Sequence, residues 1–133
     1  MKQVVVRKST IHNAGLGLFA LRDFRKGEVV VEYKGRVLNQ AQADRLYPGG
    51  VIMEYGLQIA KGRYIDAKSK TSCFGRYVNA AVGHRMPNLR FVIPQHARTA
   101  NRAKMIAIRD IKKGEELFVK YGCGKGLGYE RKS

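Results

Sequence analysis

The chain has 133 residues, of which 44% are hydrophobic and 27% charged, and its 26 Lys and Arg against 10 Asp and Glu give a formal net charge of +16. This length and composition indicate one globular domain and exclude a collagen-like chain, a coiled coil and wholesale disorder, and we expect no second catalytic domain. The longest apolar runs, at residues 4–6 and 29–31, have the length of strands, so no membrane-spanning segment is expected.

The first ten residues contain no apolar core of signal-peptide length, and we therefore expect no cleaved leader and a cytosolic or nuclear location. The two cysteines, Cys73 and Cys123, do not form a CxxC pair, and two cysteines alone cannot build a tetrahedral zinc site. We expect no structural metal.

The positive charge is concentrated in one part of the chain. Residues 67–109 contain no Asp or Glu but carry nine cations: Lys68, Lys70, Arg76, Arg85, Arg90, Arg98, Arg102, Lys104 and Arg109. A surface that serves solubility alone usually mixes both signs, so an anionic partner such as nucleic acid or a nucleosome is favoured.

In chain order, short runs rich in β-branched residues, separated by glycines, predict a mostly-β domain with little helix. The predicted strands cover residues 3–8, 18–21, 28–37, 51–60, 64–65, 89–94, 104–109 and 116–120. A short helix is predicted at 39–47 with Asn39 as its cap, and one or two helical turns at 72–78 behind a serine cap. Residues 94–101 are polar and predict a loop.

Residues 20–28 and 107–115 are close copies, with the sequences ALRDFRKGE and AIRDIKKGE. One pair of copies is not a solenoid repeat, and two similar turns suffice to explain it. Each copy places a glycine between a turn and a strand, so we expect positive φ angles at Gly27 and Gly114.

Four motifs carry possible chemistry: GLGLF at residues 15–19, EYKG at 32–35, GRYVN at 75–79 followed by Pro87-Asn88, and GEELFVKYG at 114–122. Two glycines around one residue let the backbone approach a ligand, although a lone GxG is typical of a turn. The Asn79 amide suits either a buried loop crossing or the polar ends of a small ligand. Most tyrosines at a strand end, such as Tyr121, are merely packed.

With these motifs in this order, and with Tyr64-Ile65-Asp66 between them, the chain resembles the SET-domain family of S-adenosylmethionine-dependent protein-lysine methyltransferases. The resemblance covers residues 3–123 and leaves 124–133 as a short basic tail. It implies the SET-domain fold, with several short twisted sheets and a knot-like C-terminal crossing.

The resemblance also implies the roles of single residues. Tyr121 is expected to be catalytic, together with Tyr33, and Phe91 to lie with both along the channel for the substrate lysine. The cofactor, S-adenosyl-L-methionine, is expected to contact Leu16, Gly17, Leu18, Arg76, Tyr77, Asn79 and Ala80. The chain departs from the family where Ala80-Ala81 replaces His-Ser and where Asn79 and Asn88 are spaced more widely. Loss of that histidine threatens a hydrogen bond in the crossing more than cofactor binding.

The expected substrate is a lysine of a histone in a nucleosome, because a basic enzyme is repelled by a free basic tail but attracted to nucleosomal DNA. Arg98, Arg102 and Lys104 are the expected DNA contacts. The expected location is the nucleus, or the nucleus of a host if the protein is a viral or bacterial effector. One alternative is a catalytically decayed SET-like module that binds nucleic acid through the basic face of residues 67–109. A second is a ribosomal or RNA-associated β protein, which explains the charge but not the order of the motifs.

Overall fold

The computed structural model describes residues 2–49 and 51–120, and its elements are mostly short strands. They follow in the order β1 (Val4–Lys8), β2 (Leu16–Ala20), β3 (Val29–Lys34), β4 (Arg36–Asn39), α1 (Gln40–Leu46), β5 (Gly56–Ala60), β6 (Arg63–Asp66), a 3-10 helix (Phe74–Tyr77), β7 (Asn79–Ala80), β8 (Leu89–Val92), β9 (Arg102–Ala107) and β10 (Phe118–Val119). The prediction of a mostly-β fold in several small sheets is confirmed. Within residues 2–49 and 51–120, neither helix is long and apolar enough to cross a bilayer.

The strands form separate sheets that share one core. In the described residues, β1 pairs with β2, β4-β6-β5 make a three-stranded sheet, and β3-β9-β8-β10-β7 make a five-stranded sheet. Leu18, Leu57, Phe91, Met105 and Leu117 come from different strands or their flanks and are all buried in the same hydrophobic cluster. The sheets are therefore held together by apolar packing rather than by a continuous ladder.

Several predicted boundaries are wrong. The strand predicted at 28–37 is divided at Gly35 into β3 and β4, which belong to different sheets. A β-carbon at Gly35 would collide with the backbone of Asp66, which explains the glycine. The strand predicted at 51–60 begins only at Gly56. The turns predicted behind a serine cap are a 3-10 helix that follows Cys73, whose side chain makes no capping bond.

The helix prediction is confirmed, with Asn39 as its cap. The Asn39 side chain accepts a hydrogen bond from the Gln42 N–H, and the Gln42 side chain accepts one from the Asn39 N–H. This capping box satisfies two donors that the first turn leaves unpaired, so a helix of only seven residues forms at a defined point.

The knot-like crossing is formed by β10, which lies between β7 and β8 and runs parallel to both. Phe118 pairs with Asn79, and Val119 pairs with both Ala80 and Leu89. The buried Asn88 side chain donates to the Glu116 carbonyl at 2.9 Å and accepts from the Phe118 N–H at 2.8 Å. The chain between β7 and β8 is thereby closed around β10.

The two similar segments at 20–28 and 107–115 pack against each other, and we call them the paired turns. Phe24 and Ile111 exchange N–H to carbonyl bonds of 2.8 Å in both directions. Gly27 and Gly114 have φ angles of 92° and 93°, as predicted, and each donates at 2.8 Å to the first alanine of the other copy. The repetition in the sequence therefore produces a local two-fold arrangement in the structure.

Candidate functional site

A cleft of about 390 Å³ lies where β2 meets the 3-10 helix and β7, and we call it the Asn79 cleft. It is lined by Ala14, Leu16, Glu54, Tyr55, Lys70, Arg76, Tyr77, Val78, Asn79 and Ala80. The structure thus brings together the predicted residues Leu16, Arg76, Tyr77, Asn79 and Ala80, which come from chain segments some sixty residues apart.

Arg76 forms the back of the Asn79 cleft. Its guanidinium lies 4.3 Å from the centre of the Tyr55 ring and 4.8 Å from that of Tyr77, and its Nε donates to the Ala67 carbonyl at 2.8 Å. A buried guanidinium needs acceptors for its N–H groups and an environment that stabilises its charge. Here backbone carbonyls accept from the N–H groups, and the faces of the two rings attract the cation. The aromatic walls of the cleft are therefore held in fixed positions.

A single buried carboxylate joins the cleft to the crossing. Glu116 Oε2 accepts from Ser9 Oγ at 2.6 Å and from Asn79 Nδ2 at 3.4 Å, while Oε1 accepts from the N–H and the hydroxyl of Thr10 at 2.8 and 2.6 Å. Asn79 Nδ2 also donates to the Leu16 carbonyl at 3.0 Å. Glu116 thus ties the loop after β1, the glycine motif and β7 to β10.

The charge of Glu116 is maintained by these donors. Burial by itself would raise the pKa of Glu116, but the hydrogen bonds from Ser9, Thr10 and Asn79 outweigh it and lower the pKa below its ordinary value. Gly17 is placed directly against this group, because a β-carbon there would overlap Glu116 Oε2 and lie 3.3 Å from Asn79 Nδ2. The second glycine of the GLGLF motif therefore makes room for a carboxylate in this structure.

The loop that departs from the family pattern has its own anchor. Arg85 donates to the Thr10 carbonyl at 2.9 Å, and its guanidinium lies 6.0 Å from the centre of the Phe118 ring. Thr10 in turn donates to Glu116. Where the family places a histidine next to the asparagine, this chain has Ala80 paired with β10 and fastens the same crossing through Arg85.

The predicted channel residues Tyr33 and Phe91 are buried side by side. Their rings meet edge to face with 5.4 Å between centres, and the Tyr33 hydroxyl donates to the Tyr55 carbonyl at 2.6 Å. Because Tyr55 lines the Asn79 cleft, Tyr33 reaches the rear wall of that cleft from the core. Tyr121, the predicted catalytic residue, lies outside the described residues.

Leu18 and the three predicted DNA contacts lie elsewhere. Leu18 is fully buried, and its carbonyl accepts from the Leu117 N–H at 2.8 Å, so it supports the crossing rather than lining the cleft. Arg98, Arg102 and Lys104 are exposed, and the last two project from the same face of β9 because they alternate with buried Ala103.

Sequence reasoning missed Tyr55, Glu54 and Lys70 as cleft residues and Glu116 as their link to the crossing. Tyr55 carried a weak signal as an aromatic residue directly before an apolar strand. The partners of Glu116 lie more than thirty residues away, and no local pattern indicates them. In the described part of the chain, no group of three or more His, Cys, Asp or Glu residues is arranged to hold a metal.

Comparison with known proteins identifies the family that this fold and sequence resemble. Residues 15–122 match the family described as SET domain. The chain is 36% identical over 131 residues to a histone-lysine N-methyltransferase EZH2 of Chaetomium thermophilum, covering 91% of this chain and 8% of that protein. It is 30% identical over 135 residues to the N-lysine methyltransferase KMT5A of Xenopus tropicalis, covering 91% of this chain and 37% of that protein.

Solved structures agree. A crystal structure of an active polycomb repressive complex 2 in the stimulated state superposes with a TM-score of 0.75 at 34% identity, over 91% of this chain and 15% of that one. A structure of ctPRC2 in an autoinhibited conformation, bound to S-adenosylmethionine, superposes with a TM-score of 0.69 at 35% identity, over 91% of this chain and 15% of that one. The chain spans well under half the length of these relatives. The family match covers residues 15–122, and the fold superposes on solved structures of similar sequence. This chain therefore belongs to the SET-domain family.

Proposed function

We propose that this protein transfers a methyl group from S-adenosyl-L-methionine to the side-chain amine of a protein lysine. The observation that carries the proposal is the Asn79 cleft, which unites the glycine motif, the 3-10 helix and β7 in one concave site. Similarity to proteins named as lysine methyltransferases supports the reaction, and a similar structure that binds S-adenosylmethionine supports the cofactor.

The residues of the cleft fit this cofactor. Exposed Leu16 and the rings of Tyr55 and Tyr77 offer flat apolar surface for an adenine, while Glu54 and Lys70 offer opposite charges for an amino acid's ammonium and carboxylate. When bound, S-adenosylmethionine supplies an electrophilic methyl group on a sulfonium. Asn79 and the backbone of Ala80, both half-buried in the cleft, are the proposed polar contacts.

The proposed work of the protein is to bind, orient and dehydrate the two reactants. In-line displacement requires an aligned amine without its extra proton, and an apolar channel favours the neutral amine. Tyr33 and Phe91 are proposed as walls of that channel, and Tyr121 as the residue whose hydroxyl orients the amine. Because the Tyr33 hydroxyl donates to the Tyr55 carbonyl, its orientation is set, and we assign Tyr33 to shape the channel.

The proposed substrate is a histone lysine presented on a nucleosome, with the enzyme in the nucleus. Relatives named as histone-lysine N-methyltransferases support the histone, and the charge of +16 supports the nucleosome over a free basic tail. We propose DNA contact through Arg98, Arg102 and Lys104, which are exposed. The Arg85 anchor favours an intact site over a decayed module, because the crossing is fastened despite the missing histidine.

Cofactor binding is tested by calorimetry with S-adenosylmethionine on the parent protein, on Asn79→Ala and on Asn101→Ala as a matched asparagine outside the Asn79 cleft. We expect binding by the parent and by Asn101→Ala, and much weaker binding by Asn79→Ala. Folded parent protein that gives no heat at millimolar ligand would overturn the enzymatic proposal.

The reaction is tested by transfer of a radiolabelled methyl group to mixed core histones, nucleosomes and a ribosomal fraction. Labelled histone is expected, most strongly in nucleosomes. Tyr121→Phe should lower turnover by about 10²–10³-fold with little change in cofactor affinity, since one oriented donor is lost. Tyr33→Phe should be milder. Parental turnover in Tyr121→Phe would contradict the assigned role.

A further inference from the structure

A second cleft in the described part of the chain is larger than the Asn79 cleft, shares no lining residue with it and is basic. It encloses about 940 Å³ and is lined by Lys34, Gly35, Arg36, Leu46, Tyr47, Asp66, Lys68, Ser69, Ser72, Asn101 and Arg102. We call it the basic cleft. None of these residues lines the Asn79 cleft, so the proposed methyl transfer does not account for it.

Most cations of the basic cleft form no ion pair, although the β4–β6 register sets Arg36 opposite Asp66. Among the residues that the structure describes, Lys34, Arg36 and Lys68 form no ion pair, and Arg102 pairs only with Glu32 at 3.3 Å. The register of the β3–β9 ladder places Lys34 directly opposite Arg102. Like charges directly opposite on neighbouring strands are destabilising, so the fold holds positive charge at this point at a cost that a bound anion would relieve.

The one carboxylate of the cleft is already engaged. Asp66 accepts from the Tyr47 hydroxyl through Oδ2 and from the Lys68 N–H through Oδ1 at 3.1 Å. Burial and the bond to Asp66 raise the pKa of Tyr47 to about 12, so its hydroxyl remains protonated and continues to donate. Asp66 therefore supports the wall of the cleft, and the lysine and arginine side chains remain available to a ligand.

The positive surface continues out of the cleft along β9. Arg102 lines the cleft, and Lys104 follows on the same exposed face of the strand, about 7 Å further along, with Glu32 opposite it on β3. A single phosphate would engage only part of this row, whereas a chain of phosphates can follow it. The extent of the charge therefore favours a polyanion over a small anion.

We propose that the basic cleft binds the phosphodiester backbone of a nucleic acid through Lys34, Arg36 and Lys68, with Arg102 at its mouth. This deepens the DNA contact of the proposed function, on which it rests, by assigning the principal seat of the phosphates to the cleft rather than to the exposed loop that carries Arg98. Contacts of this kind release counterions and are independent of base sequence.

The test compares two triple variants of the full chain with equal loss of charge. The first is Lys34→Gln, Arg36→Gln and Lys68→Gln, and the control is Lys26→Gln, Lys112→Gln and Lys113→Gln, whose exposed side chains lie on the paired turns. Binding of a labelled DNA duplex is measured by fluorescence anisotropy from ~50 to ~200 mM salt. The cleft variant should lose about 2–3 units of the log–log salt slope, and the control less than about 1.

The cleft variant should also bind at least tenfold more weakly than the control at ~50 mM salt. Equal effects of the two triples would overturn the proposal, as would undetectable binding by the parent. Displacement of the duplex by micromolar pyrophosphate would overturn it in favour of a small-anion site. Thermal unfolding and heats of S-adenosylmethionine binding on the same variants establish that they are folded. These heats test the proposed methyl transfer separately, so failure of one proposal is distinguishable from failure of the other.

Discussion

The paired turns and the crossing join distant parts of the chain in opposite ways. In the paired turns, Asp110 Oδ1 accepts from the Lys26 N–H at 2.9 Å and Asp23 Oδ1 accepts from the Lys113 N–H at 2.8 Å, so two copies of one sequence exchange the same exposed bonds. In the crossing, one buried carboxylate, Glu116, accepts four hydrogen bonds, from Ser9, Thr10 and Asn79.

This difference indicates two roles: the paired turns are a scaffold that contributes stability alone, and Glu116 is a coupling point that links stability to the Asn79 cleft. The paired turns contact neither the Asn79 cleft nor its lining residues through these bonds, and each half duplicates the other. Glu116 has no duplicate, and it touches Asn79, a residue of the cleft. Changes in the paired turns should therefore alter stability alone, whereas changes in the crossing should alter stability and ligand binding together.

The largest expected effect is that of Glu116→Gln. The amide keeps the size of the side chain but presents N–H groups to donors from Ser9 and Thr10, so we expect a loss of about 3 kcal/mol in unfolding free energy. Urea denaturation measures it. Glu115→Gln is the matched control, because its ion pair with Arg109 is largely exposed and contributes about 0–1 kcal/mol. Equal losses would show that Glu116 is not the coupling point.

Acidification should remove part of the unfolding free energy that the Glu116 carboxylate contributes. The pKa of Glu116 is lower in the folded protein than its ordinary value of 4.5, so its stabilisation is complete above that value and is lost as the pH falls through the lower, folded pKa. Urea midpoints of the parent should therefore fall more steeply than those of Glu116→Gln below about pH 4.5. Parallel pH profiles would contradict the assigned ionisation.

The paired turns should respond symmetrically and more weakly. Asp23→Ala and Asp110→Ala each remove one exposed bond to a backbone N–H, so each should cost about 1 kcal/mol, equal within about 0.5 kcal/mol. S-adenosylmethionine affinity, measured by calorimetry, should be that of the parent in both variants. A change in affinity would mean that the scaffold and the cleft are coupled after all.

The smallest effect is expected for Arg85→Ala, which removes the bond to Thr10 and the contact with Phe118. Partly exposed interactions of this kind contribute about 0.5–1 kcal/mol, and cofactor affinity should fall only a few-fold. Arg90→Ala, on the neighbouring β8, is the control. If Arg85→Ala matches that control in both stability and affinity, Arg85 does not replace the missing histidine.

Sequence reasoning was most successful where the physical cause is local. Asn39 and Gln42 satisfy each other's backbone donors within one turn. Gly27 and Gly114 adopt positive φ without strain because glycine has no β-carbon. These features need no information from the rest of the chain. The motif order likewise indicated the family, since each motif is a short run.

Reasoning was least successful where the cause is a distant neighbour. Nothing near Gly35 signals that the strand divides there, because β3 pairs with β9 and β4 pairs with β6, and both partners are distant along the chain. The short strand β7 owes its conformation to β10, which pairs with it from nearly forty residues away.

The sequence by itself determined the charge, the strand-rich composition, the helix cap and the glycine turns, because these follow from side-chain chemistry and local backbone sterics. Only the tertiary structure decided that Gly17 makes room for Glu116, that Arg85 anchors the crossing, and that Lys34 faces Arg102 at the mouth of the basic cleft. Each of these contacts joins segments that are distant along the chain, so no local sequence pattern indicates it. Burial makes the contact at Glu116 matter most, since a buried polar group must find its partner wherever the chain brings one.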